Sequence, residues 1–203
     1  MKKLLILAVA VGLLMAMGVT TPAGFSVYAA YTLSADIEDT DVTMLYVGGQ
    51  YIADAYKAGL VYGTGDDDAS GLVDLTYLEL SGAYKIAGDE RNQLYVGGMY
   101  LTNTMSTPMG DAVASGLLAE VSGSMMIGIN MILSGNLGYS LTASAENFGI
   151  EADEVSIMSI KASFLFMFSE SFGLTLGYDS QTYTTDGTDS TYSDMVFGAL
   201  YAF

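Results

Sequence analysis

Residues 196–203 close the chain with the sequence VFGALYAF, and this stretch decides the fold. On an extended strand, Phe197, Tyr201 and Phe203 lie on one face and Gly198 lies on the other, because successive side chains alternate. Chain termini usually fray in water, so an aromatic side chain at the last carboxylate is unusual in a soluble domain. We therefore predict that the chain ends as a strand whose aromatic face meets an apolar environment.

The same residues form a pattern that is typical of one class of membrane protein. Gly198, Tyr201 and Phe203 give Gly-x-x-Tyr-x-Phe, which resembles the C-terminal assembly signal of bacterial outer-membrane β-barrels. That family's pattern has a polar residue where this chain has Val196. The resemblance implies a closed, antiparallel transmembrane β-barrel that is folded by the barrel-assembly machinery and surrounded by outer-membrane lipid.

The N-terminal end has the features of an export signal. Lys2 and Lys3 precede fourteen uncharged, mostly apolar residues, and small residues follow. This order defines a secretory signal peptide, and the apolar run is too short to span a membrane comfortably. We predict a cleaved signal peptide over 1–23, with 1–29 as the alternative, and a single outer-membrane barrel domain over 24–203.

The composition agrees with a barrel. The chain is 51% hydrophobic and its mean hydropathy is +0.40, yet beyond the signal it has no continuous apolar run of about 18 residues. A transmembrane barrel reconciles these facts, since its strands turn apolar residues toward lipid at every second position only. The chain has no cysteine, which excludes disulfides and thiol chemistry.

Ten segments alternate apolar with small or polar residues at the period of two that β-strands require. In 171–183, for example, Leu174 and Leu176 alternate with Gly173 and Thr175. The other segments begin near residues 25, 45, 55, 72, 94, 113, 130 and 154, and the last runs to the C terminus. The predicted fold class is all-β: a closed antiparallel transmembrane β-barrel of ten strands in up-and-down order, with eight strands as the alternative.

The alternation also assigns individual side chains to the two faces. In 130–143, Thr142 falls on the inward face. In 72–87, Asp74 and Thr76 occupy positions where apolar residues are expected. This irregularity predicts either a bulge or a part of the strand that lies above the membrane.

The connections between segments alternate in length. Short ones lie around Asp54 and at 88–92, 128–129 and 169–170. Longer, polar ones lie at 36–41, 65–70, 103–112, 145–154 and 184–190. Outer-membrane barrels have tight periplasmic turns and longer extracellular loops, so the pattern predicts that both termini of the barrel face the periplasm.

The charge is strongly acidic, with a formal value of −17. After the predicted signal, 4 basic and 23 acidic residues remain, a formal charge of −19. The five longer connections contain no Lys or Arg, and their acidic residues are Asp36, Glu38, Asp39, Asp41, Asp66, Asp67, Asp68, Asp111, Glu146, Glu151, Asp153, Glu154, Asp186 and Asp189. This charge excludes nucleic acid as a partner and predicts a solvated acidic rim outside the membrane.

Adjacent carboxylates at Asp66, Asp67 and Asp68 raise the question of a metal site. Clustered carboxylates are the ligands that Ca²⁺ and Mg²⁺ favour. No EF-hand or Gly-rich calcium-repeat spacing surrounds these residues. We therefore treat divalent cations at the acidic loops as a weak candidate and predict no metal site and no other cofactor.

A group of charged residues is predicted inside the barrel. Glu79, Glu120 and Lys161 lie mid-strand on the inward face, with Lys57 and Asp179 nearer the strand ends. An unpaired buried charge is costly, so these side chains are expected to pair or to be hydrated. A pair between Lys161 and either Glu120 or Glu79 would bridge the lumen and either stabilise a closed barrel or gate a pore.

The residue inventory argues against an enzyme. The enzymes among small outer-membrane barrels imply a catalytic histidine, and this chain has neither His nor Cys. In organisation the chain is similar to the OmpX/Ail, OmpA-transmembrane and OmpW-like barrels, and we expect a monomer. Two functional hypotheses follow: a structural or surface-interaction barrel displaying acidic extracellular loops, and, as the alternative, a narrow porin-like channel for ions or small solutes.

Overall fold

A computed structural model describes residues 24–37, 40–67, 72–89 and 91–203 of the protein. The strands are β1 (Phe25–Ile37), β2 (Thr40–Ile52), β3 (Tyr56–Asp67), β4 (Asp74–Gly88), β5 (Asn92–Thr107), β6 (Gly110–Met126), β7 (Met131–Asn147), β8 (Ile150–Glu151), β9 (Val155–Met167), β10 (Phe172–Thr185) and β11 (Thr188–Ala202). Within the described ranges, no helix is long and apolar enough to cross a membrane. The predicted signal peptide lies outside the described residues.

Ten of these strands form one closed ring. Each long strand pairs antiparallel with the next long strand in the chain, and β1 pairs with β11 to close the ring. The two-residue β8 only extends β7 at one rim. The predicted ten-stranded, up-and-down antiparallel barrel is therefore confirmed, and the eight-stranded alternative is wrong.

The outer face of the barrel is apolar and the inner face holds the buried residues. Along β10, Leu176 is 43% exposed and Tyr178 is also exposed, whereas Gly177 and Gln181 are buried. The other strands repeat this arrangement, with exposed outward residues such as Leu60, Leu80, Val96, Val121, Leu137, Ile160 and Phe197. The predicted alternation is thus realised with its apolar side outward.

One bulge changes the predicted faces of β7. Leu117 of β6 pairs with Thr142, and the next residue, Leu118, pairs with Ser140, so that Leu141 is an extra residue. Thr142 is consequently exposed on the outer face, and its predicted inward position is wrong. A single bulged residue shifts the alternation by one position, and the residue types do not reveal where this happens.

The irregular beginning of β4 is not a bulge. Asp74 and Thr76 pair with β3 and β5 in continuous register, and both are exposed on the outer face. Between them, Leu75 is buried inside the barrel. The register shift of β4 lies at its other end, beside Lys85, so the bulge predicted at the start of the strand is wrong.

The predicted longer connections at 103–112 and 184–190 are wrong, because the strands on either side continue to two-residue turns. The ladder between β10 and β11 continues to Thr185 and Thr188, which leaves only Asp186 and Gly187 as the turn. Their φ angles are 50° and 78°, as a type I′ hairpin turn requires, and Asp-Gly is a preferred sequence for that turn. The sequence predicts a loop for the polar residues on either side, but Thr and Tyr form strands readily, so the hairpin extends beyond the apolar band.

A close contact between two strands requires glycine at position 63. Tyr46 of β2 is the register partner of Gly63 on β3, and its ring lies over the glycine. A Cβ atom at position 63 would lie 2.6 Å from two carbon atoms of that ring. The ring is held in place because the Tyr46 hydroxyl donates a 2.6 Å hydrogen bond to Asp194.

We expect Gly63→Ala to lower the free energy of unfolding by about 1–3 kcal/mol, because the added methyl group overpacks the contact. Urea unfolding of the barrel in lipid vesicles measures this. Gly82→Ala is the matched control, since a Cβ atom at position 82 would have no neighbour within 4 Å. The control should be neutral or stabilising by up to about 1 kcal/mol; an equal loss in both variants would contradict the role of the Tyr46 contact.

Candidate functional site in the barrel lumen

Apolar side chains fill one level of the lumen, which we call the apolar layer. Met99, Leu101, Leu118 and Ile157 lie at its centre and have no exposed surface. The other side chains in contact with it include Ala30, Val42, Met44, Tyr46, Val61, Leu75, Tyr77, Met105, Ala143, Tyr183, Tyr192 and Val196. All ten strands of the ring contribute side chains to the apolar layer.

An ion cluster around Lys161 lies beside the apolar layer. The Lys161 ammonium forms ion pairs with Glu79 and, at 3.1 Å, with Asp179. It also donates a 3.0 Å hydrogen bond to the Tyr77 hydroxyl and lies 5.3 Å from the centre of the Tyr77 ring. Since β4 and β9 stand on opposite sides of the ring, the cluster ties the barrel together across its lumen.

The structure separates the predicted lumen charges into two groups. Lys161 meets Glu79, one of its two predicted partners, but it forms no ion pair with Glu120. Glu120 instead pairs with Lys57 at 3.1 Å, and the Lys57 ammonium lies 5.3 Å from the centre of the Tyr95 ring. Each cluster therefore combines a lysine, an acidic partner and a tyrosine face.

Two further polar groups in the lumen were not identified from the sequence. Asp194 accepts hydrogen bonds from the hydroxyls of Tyr46 at 2.6 Å and Tyr192 at 2.7 Å. Across the lumen, Asn103 of β5 donates a 3.0 Å hydrogen bond to Gln181 of β10. The signal that was available is strand parity, which places Asp194 and Tyr46 on the inward face.

A cavity of about 530 Å³ occupies the lumen between the apolar layer and the end of the barrel that holds Phe25 and Phe203. Its walls extend from Asp194, near the layer, to Arg91, which is exposed at the barrel end. Four basic residues follow the predicted signal, and three of them, Lys57, Arg91 and Lys161, line this cavity. An acidic protein thus places most of its cations around a single space.

A hydrogen-bonded turn positions Arg91 at the mouth of the cavity. The Asp89 carboxylate accepts two 2.8 Å hydrogen bonds, from the backbone N–H groups of Arg91 and Asn92. These bonds favour the ionised carboxylate and therefore hold the pKa of Asp89 below its usual value. The turn is consequently defined by local contacts.

The predicted acidic metal candidates do not form a site in the described structure. Asp68 lies outside the described residues, Asp67 is buried, and Asp66 is partly exposed. Among the residues that the structure describes, no group of three or more acidic side chains is placed to hold a metal ion.

The C-terminal residues lie at the seam that closes the ring. The backbone N–H of Phe203 donates a 2.8 Å hydrogen bond to the carbonyl of Phe25, and the two rings are 5.6 Å apart. Tyr201 packs against Phe203 at 5.0 Å. Gly198 is buried on the inner face, where a Cβ atom would lie 2.5 Å from the carbonyl oxygen of Ala29. The predicted assembly-signal residues therefore join the last strand to the first.

The fold is similar to solved structures of outer-membrane barrels. The outer membrane protease OmpT from Escherichia coli has a TM-score of 0.59 at 9% identity, with 92% of this chain and 99% of that chain covered. An outer membrane channel from Pseudomonas putida F1 has a TM-score of 0.53 at 13% identity, with 92% and 97% covered. The β domain of the Bordetella autotransporter BrkA has a TM-score of 0.50 at 10% identity, with 89% and 99% covered.

No protein-family model and no curated protein matches the chain. The similarities to solved structures are at low identity, and proteins of different activities share them, so they define the fold and not the activity. The chain has the closed β-barrel fold of outer-membrane proteins.

Proposed function

We propose that this protein is an integral outer-membrane β-barrel with a closed lumen, which has a structural or surface-interaction role and presents acidic residues outside the cell. The observation that carries the proposal is the apolar layer, to which every strand of the ring contributes. The fully buried Met, Leu and Ile side chains at its centre favour a lumen that is closed to ions. The relationship to OmpX/Ail, OmpA-transmembrane and OmpW-like barrels is proposed at the level of architecture only.

A change in the outward residues supports this membrane placement. Tyr62 and Tyr100 are exposed on the outer face, and the next outward residues are Thr64 and Thr102. Tyr31, Tyr139 and Tyr178 are further exposed tyrosines on other strands. Polar outward residues lie beyond the tyrosines on several strands, including Thr76, Ser144, Ser180, Thr182 and Thr191. Since tyrosines border the apolar band of membrane barrels, we place one membrane boundary at these tyrosines.

The other membrane boundary is proposed at the barrel end that holds Phe203. Aromatic side chains contact each other there, with Phe25 beside Phe203, Tyr51 5.9 Å from Tyr56, and Phe168 near Phe172. We assign this end to the periplasm. The strand ends and connections beyond the tyrosines contain no Lys or Arg. We therefore propose that the external surface carries acidic groups without basic ones. We propose no catalytic activity, because the chain lacks His and Cys.

The apolar layer offers a direct test by planar-bilayer recording of the refolded protein. The wild type should show no steady conductance, whereas Met99→Ala/Leu118→Ala should conduct, because it removes two neighbouring, fully buried side chains from the layer. The control is Tyr100→Ala/Leu117→Ala, the next register pair, which is exposed on the outer face. This control should remain silent.

Steady conductance of the wild type would contradict the closed barrel and favour the second candidate, a narrow channel for ions or small solutes. The observation in favour of that candidate is the cavity, which reaches from Arg91 to Lys161 and Asp194. If the wild type and the layer variant are both silent, the apolar layer is not what closes the lumen.

A further inference from the structure

Negative charge is in excess at the inner end of the lumen cavity. Glu79, Asp179 and Asp194 line this end, and Lys161 is the cation that forms ion pairs with two of them. Of the two other cations of the cavity, Lys57 pairs with Glu120 and Arg91 is exposed at the mouth. With these carboxylates ionised, one ammonium group does not neutralise the inner end.

Two carboxylate oxygens at this end have no hydrogen-bond partner among the described residues. Asp194 is only 2% exposed, and its Oδ1 is unpartnered although its Oδ2 accepts bonds from two tyrosines. Asp179 Oδ1 is also buried and unpartnered. Asp179 and Asp194 are register partners on β10 and β11, so their side chains are neighbours on the same cavity wall. Leaving such oxygens buried without a donor is costly.

We propose that the cavity binds one small organic cation through a primary ammonium group, held by Asp194 and Asp179. Lys161 provides the internal precedent, because its own ammonium lies between carboxylates and over the Tyr77 ring. Tyr28 and Tyr46 also line the cavity and offer further ring faces to a cation.

The size of the cavity and the arrangement of its carboxylates select this class of ligand. A volume of about 530 Å³ falls in the range of about 300–1,000 Å³ that small-molecule sites occupy. The described residues include no group of three or more acidic side chains that could chelate a metal ion. An ammonium group needs only two or three hydrogen-bond acceptors, and its alkyl chain can lie along the remaining wall. Binding at this site does not depend on whether the lumen conducts.

The test is isothermal titration calorimetry of the refolded wild-type protein with three probes of equal length: butylammonium, butyrate and 1-butanol. Butylammonium should bind with one saturable site, and the other two should not. Asp194→Asn should weaken butylammonium binding by about tenfold or more, because a charged hydrogen-bond acceptor is lost. Asp153→Asn, at an exposed loop position, removes the same charge outside the cavity and should leave the affinity unchanged.

Several results would overturn the proposal. These are the absence of saturable butylammonium binding, equal binding of 1-butanol, or equal weakening by Asp153→Asn, which would place the cation on the acidic rim. Displacement of butylammonium by an equal concentration of sodium chloride would also overturn it, because the site would then take any small cation. If Asp194→Asn fails to fold, as judged by heat-dependent gel mobility, Asp179→Asn and the three-probe series on the wild type still decide the question.

Discussion

Lys161→Met should destabilise the barrel by about 3 kcal/mol. Removing one partner of a buried ion pair leaves the other charge uncompensated, which costs about 3–5 kcal/mol in a dry site. The lower value is expected here because the Lys161 side chain is 24% exposed to the cavity, where solvent screens part of the charge. The carboxylates left without their ammonium are Glu79 and Asp179. Reversible urea unfolding in lipid vesicles measures the change.

Two variants separate the ion cluster from general effects of losing a lysine. Lys85→Met makes the same substitution near the end of β4, where the ammonium makes a long, 3.4 Å contact with the carbonyl of Asp89 and no ion pair is seen with another described residue; it should change stability by less than about 0.5 kcal/mol. Lys161→Met combined with Glu79→Gln should recover part of the loss, because one of the uncompensated charges is then absent. Wild-type stability of Lys161→Met would show that water replaces the ammonium and that the cluster does not stabilise the barrel.

Leu176→Arg is expected to lower the free energy of unfolding by about 2–4 kcal/mol. Leu176 is an exposed outward residue of β10 within the proposed membrane band, two positions before Tyr178. An arginine there would place its charge in the hydrocarbon region. The same unfolding measurement in lipid vesicles applies.

Thr182→Arg is the matched control for Leu176→Arg, because it introduces the same residue on the same face of the same strand, beyond Tyr178. Near or outside the interface the cost of arginine falls to about 0–1 kcal/mol. Similar losses in the two variants would contradict the placement of the membrane boundary at the tyrosines. A larger loss for Thr182→Arg would show that the band lies closer to the hairpin ends.

The strands and their two faces were predictable because their causes are local. Alternation along 171–183 assigns Leu176 outward and Asp179 inward without knowledge of any partner strand, since the side-chain period of a strand is two. The terminal pattern of Gly198, Tyr201 and Phe203 indicated the class of barrel from the sequence alone. Sequence therefore determined the fold class, the number of strands and most of the residues that face the lumen.

Only the tertiary structure decided which lumen residues meet, because those contacts depend on register and on closure of the ring. Glu120 pairs with Lys57 instead of Lys161, since β3 and β6 bring those two side chains to one level. The extra residue at Leu141 shifts the two faces of β7 by one position, which residue types do not encode. The cavity and the unpartnered oxygen of Asp194 exist only once ten strands enclose a common space, which no single strand can specify.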